Sequence, residues 1–76
     1  MNIERIREMK NRAPFRPFRV HLTTGEVLLV AHSEMMGIDA KAGMFSLFTS
    51  TGWNLIEAES VKMVSTEKRQ TQAVKT

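Results

Sequence analysis

The segment Pro14-Phe15-Arg16-Pro17-Phe18-Arg19-Val20-His21-Leu22-Thr23-Thr24-Gly25-Glu26 constrains this fold more than any other. Pro14 biases Ala13 away from helical backbone, so a helix preceding it must stop near Arg12. From Phe18 the side chains alternate: Phe18, Val20 and Leu22 on one face, Arg19, His21 and Thr23 on the other. That period of two is the mark of a half-buried strand. Thr24-Gly25 then offers a two-residue turn back into Glu26 to His32. With such a turn Leu22 faces Val27, Val20 faces Leu29 and Phe18 faces Ala31, while His21 lies opposite Leu28 and Arg19 opposite Val30. The return strand is then apolar on both faces, and its outward Leu28 and Val30 need a cover. A bulge at Gly25 would shift this register.

Residues 2 to 12 predict a helix. Asn2 can cap its first free N–H groups, and Glu4 sits where the helix dipole favours an anion. Ile3, Ile6 and Met9 form a narrow apolar stripe, and Glu8–Arg12 is a favourable i,i+4 pair. Three turns are too short to be stable alone, so the stripe must dock.

Beyond the hairpin, Ser33 to Gly37 predicts a short helical turn capped by Ser33. Strands follow at Gly37 to Ala40, Met44 to Ser50, Trp53 to Glu57 and Val61 to Val64, with turns at Lys41-Ala42-Gly43 and Thr51-Gly52. Like the second strand, the fourth is apolar on both faces, at Met44, Phe45, Leu47 and Phe48. The expected fold is mainly β (α+β by count): an N-terminal helix, then a small antiparallel barrel of five or six strands. One domain covers residues 1–66, and residues 67–76 form a polar tail expected to be disordered.

A domain of 76 residues has a thin core and needs a staple or a partner. Cysteine is absent, which removes disulfides, thiolate nucleophiles and cysteine–zinc sites and fits a reducing compartment. No apolar run approaches the roughly 20 residues of a membrane span, and no signal peptide is read at the half-charged Ile3 to Lys10. A cytoplasmic protein is expected. The net charge of +3 is uneven: residues 1–19 hold six basic and two acidic side chains, residues 20–66 two basic and five acidic. The positive field belongs to the helix and the approach to the sheet.

The helix, the Pro-Phe-Arg-Pro-Phe-Arg-Val-His-Leu-Thr-Thr-Gly pattern and the apolar strand ending in His32 resemble a group of small uncharacterised bacterial proteins. Members share a Pro-Phe-x-Pro-Phe start, an x-Asp-Gly-like turn and a His-Pro-Glu-Phe-like segment, which here reads His32-Ser33-Glu34-Met35 without the proline. The resemblance implies no catalytic or binding residue. The element order also resembles the Sm-like barrel, a fold used for RNA binding and ring assembly. Met35-Met36-Gly37 and Thr51-Gly52-Trp53 do not match the loops that bind RNA there.

No reactive constellation emerges. His21 and His32 sit at opposite ends of the hairpin, too far apart to share a metal ion. Ser33 and Ser60 have no evident base, Glu57 and Glu59 no pocket to separate their pKa values, and each glycine is an isolated turn residue. No enzyme activity, cofactor, metal or small-molecule substrate is expected. The composition and pattern point to an interaction or assembly module with a protein partner or a second copy, through Leu28, Val30, Met35 and Met36. The alternative is a nucleic-acid module: Arg5, Arg12, Arg16 and Arg19 on phosphate, with Trp53 or Phe15 stacking on bases.

Overall fold

In a computed structural model, which describes residues 1–66, one helix precedes six strands in two antiparallel sheets. The expected tail at 67–76 lies outside the described residues. Helix α1 spans Ile3–Asn11, and Asn2 Oδ1 accepts from the Glu4 N–H at 2.9 Å. Arg12 already has extended backbone, which takes it off the i,i+4 row of Glu8; the helix carries instead a Glu4–Arg7 ion pair at 3.2 Å. The peptide bond Ala13–Pro14, just beyond the helix, is cis. Ile6 is fully buried, with Ile3 and Met9 packed beside it, so the stripe docks directly on the core. No described helix is long and apolar enough to cross a membrane.

Strands β1 (Phe18–Leu22), β2 (Val27–Val30) and β6 (Val61–Thr66) form the first sheet in the order β2-β1-β6. Strands β3 (Met36–Asp39), β4 (Met44–Thr49) and β5 (Gly52–Glu57) form the second in sequence order. A single 3-10 turn, Ser33–Met35, leads from β2 into β3, and another, Ala58–Ser60, leads from β5 into β6. His32, not Ser33, caps the first turn, and it does so without a side-chain bond.

The first hairpin departs from the expected register by one residue. Phe18 faces Val30, Arg19 faces Leu29, Val20 faces Leu28 and His21 faces Val27. The Leu22 N–H donates to the Glu26 carbonyl at 2.8 Å, and the Gly25 N–H to the Leu22 carbonyl at 2.9 Å. The loop is therefore Thr23-Thr24-Gly25, a tight turn ended by a glycine bulge at φ 96°. One extra loop residue turns every side chain of β2 over. Val30 becomes fully buried and Leu28 half-buried, while Val27 and Leu29 face out, 46% and 42% exposed. At Gly25 an added Cβ would meet nothing within 4 Å, so a side chain there costs backbone strain alone. Gly25→Val should cost about 1–2 kcal/mol, and Gly25→Asn, which tolerates this backbone, clearly less. Thermal melting of the two variants checks this.

The core joins both sheets and the helix: Ile6, Phe18, Val20, Val30, Phe45 and Leu47, with Met36, Ile56, Ala58 and Val61 beside them. No polar side chain is buried among the described residues. The Met1 amine donates to the Ala58 carbonyl at 3.0 Å and so holds the start of the chain at the turn before β6.

Candidate interaction surface

The β4–β5 hairpin turns at Ser50-Thr51, with Thr49 facing Gly52. The Thr49 hydroxyl fastens this turn: it lies 3.1 Å from the Thr51 hydroxyl, donates to the Gly52 carbonyl at 3.2 Å and accepts from the Thr51 N–H at 3.3 Å. From that register the faces follow. Phe45, Leu47 and Ile56 point into the core; Met44, Ser46, Phe48, Trp53, Leu55 and Glu57 point away from it.

The outward face is strongly apolar. Phe48, Trp53 and Leu55 are 57%, 58% and 59% exposed. Phe48 and Trp53 face each other across the strands with ring centroids 6.4 Å apart and planes 38° apart. Leu55 lies opposite Ser46, and Ser46 opposite Gly37 of β3. A Cβ on Gly37 would come within 2.8 Å of the Ser46 hydroxyl, so the glycine leaves the floor of the face open. Above it runs a groove of about 350 Å³ walled by Ile38, Met44, Trp53 and Leu55, with Asp39 at one end. Gly37 and Ile38 also border a second concavity on the side of the helix, where Arg7 and Lys10 stand.

The residues expected to form an interface are placed elsewhere. Val30 and Met36 are core, and Leu28 and Met35 are half-buried and packed against it. For Leu28 and Val30 the cause is the bulged turn; for Met36 it is that β3 begins one residue earlier than expected, setting its side chain inward opposite Leu47. Leu28 and Met35 keep a partial opening, in a groove of about 380 Å³ shared with Val27, Leu29, Ala31 and the turn Thr49–Thr51.

The basic set is divided. Arg5, Arg12 and Arg16 are exposed, and Arg12 and Arg16 share a concavity of about 370 Å³ with Ala13 and Pro14. Arg19 is half-buried on β1, opposite Leu29 and Ser65. The groove at Trp53 shares no residue with the Arg12–Arg16 concavity. Phe15 lies against Phe18, centroids 6.0 Å apart, and is spent on packing.

One polar pair escaped the sequence reading. His21 Nε2 and Ser65 Oγ lie 2.9 Å apart, brought together by the pairing of β1 with β6 across 44 residues. Acyl transfer would also need a group orienting the imidazole and N–H donors for an oxyanion. The cross-strand neighbours are Val27 and Met63 for His21 and Arg19 for Ser65, so the contact ties β1 diagonally to β6. Among the described residues, no group of three His, Asp or Glu side chains is arranged to hold a metal ion. Comparison with known protein families, with characterised proteins and with solved structures finds no match to this chain.

Proposed function

We propose that this chain is a non-enzymatic interaction or assembly module that receives a protein partner on the outer face of β3, β4 and β5. One observation carries this reading: Phe48, Trp53 and Leu55, each more than half exposed, stand together on one sheet face beside an apolar groove. Large apolar side chains grouped in this way mark contact surfaces, and tryptophan is favoured at the centre of such contacts. On this reading the two sheets are halves of one strongly bent, Sm-like sheet; the single 3-10 turn between β2 and β3 and the return of β6 to β1 support it. A reducing, cytoplasmic setting suits a chain without cysteine.

The nucleic-acid alternative draws on Arg12 and Arg16, whose shared concavity could admit a phosphate. Capture of partners by the immobilised chain, with and without nuclease, separates the two readings. A protein partner is retained after nuclease treatment and withstands moderate salt. Loss of all bound material on nuclease treatment would overturn the protein reading.

A further inference from the structure

We propose that β2 is the seam of a symmetric homodimer, in which the free edges of two β2 strands pair antiparallel about a twofold axis at Leu29. This rests on the assembly reading above but uses a different surface, so the two can fail separately.

Among the described residues β2 pairs with β1 alone, which leaves its other edge open. The bond from the Leu22 N–H to the Glu26 carbonyl makes Leu22 and Glu26 a hydrogen-bonded pair. Alternation along an antiparallel ladder then turns the backbone of Leu28 and Val30 toward β1, and that of Val27, Leu29 and Ala31 toward the open edge. About an axis at Leu29, Val27 faces Ala31 of the second copy and Leu29 faces its own counterpart. The three positions with outward backbone groups thus meet one another, which is the requirement for a ladder. Glu26 faces His32 at both ends, a carboxylate opposite an imidazole able to donate to it.

Val27-Leu28-Leu29-Val30 has no charge and no proline, the usual guards of an exposed edge. The other edges differ. β6 carries Lys62 beside a break in register, and the helix residues Arg7 and Lys10 stand beside β3. Self-pairing of β5 about Leu55 would set the Glu57 carboxylate against Trp53. Beside β2, the groove of about 380 Å³ between Leu28, Ala31 and Met35 and the turn Thr49–Thr51 leaves room for side chains of the incoming strand.

Sedimentation equilibrium on the full chain across the micromolar range tests the proposal. A monomer–dimer equilibrium is expected. Leu29→Glu, which opposes two like charges at the axis and sets a carboxylate opposite Arg19 of its own chain, should weaken it at least about tenfold while leaving the circular dichroism spectrum unchanged, since Leu29 is 42% exposed. Glu26→Lys should weaken the dimer, and adding His32→Glu should restore it. The chain has no cysteine, so Leu29→Cys places one thiol on the axis. Facing Cα atoms about 5.5 Å apart there lie within disulfide range. Mild oxidation should link Leu29→Cys and leave Thr24→Cys, on the turn, unlinked. A chain monomeric throughout, with no Leu29→Cys product, overturns the proposal and leaves the Trp53 face to its own test. So does a dimer that Trp53→Asp abolishes and Leu29→Glu leaves intact.

Discussion

Phe18→Ala should strip the domain of a large part of its stability. Phe18 is fully buried and belongs to the strand on which the first sheet is built, opposite Val30 on one side and Thr66 on the other. Removing a buried phenylalanine costs about 3–5 kcal/mol, from lost transfer energy and the cavity left behind. At about 0.05–0.15 kcal/mol per residue, a chain of 76 residues has roughly 4–11 kcal/mol in total. The substitution therefore removes a large part of the reserve, and no disulfide is present to limit the loss. Phe15→Ala is the comparison. Phe15 touches the same ring but is only half-buried, so less area is exposed and the loss should be distinctly smaller. Urea titrations followed by circular dichroism should show a midpoint far lower for Phe18→Ala than for Phe15→Ala. Similar midpoints would mean that the core is not centred on β1.

The second large effect is on binding. Trp53→Asp should lower stability by only about 1–2 kcal/mol, because Trp53 is 58% exposed and gives up the Phe48 ring across the strands and its strand preference but no core contact. The same change should weaken partner binding by about 2 kcal/mol or more, roughly thirtyfold, because truncating an aromatic anchor at the centre of a contact removes apolar burial and leaves a desolvated carboxylate. Leu55→Asp should act in the same sense on the same face. Arg12→Glu and Arg16→Glu, on a concavity that shares no residue with the groove, should leave protein binding unchanged. Calorimetry with the captured partner measures all four variants.

Local signals in the sequence carried most of the architecture. Asn2 caps the helix, Ile6 is its buried contact, and the inward set Phe18 and Val20 follows from alternation alone. What the sequence left open was decided by small energies or by distant pairing. Thr23-Thr24-Gly25 can make a two- or a three-residue loop, and the choice between them turns Leu28 and Val30 inward and Val27 and Leu29 outward. The apolar character of both faces of β4 was legible, yet the outward role of Phe48 depends on how the two sheets close on the core, which no local pattern encodes. The contact between His21 and Ser65 depends on β6 returning to β1, a pairing with no local signature.

The central claim is that a partner covers the outer face of β3–β5, and the chain carries its own reporter. Trp53 is its one tryptophan, and it has no tyrosine. Tryptophan emission should therefore be titrated with the captured partner, with acrylamide quenching measured at each point. The account predicts emission close to that of a solvated indole in the free protein, moving to shorter wavelength with falling quenching as the partner saturates. Saturating binding with emission and quenching both unchanged would contradict it.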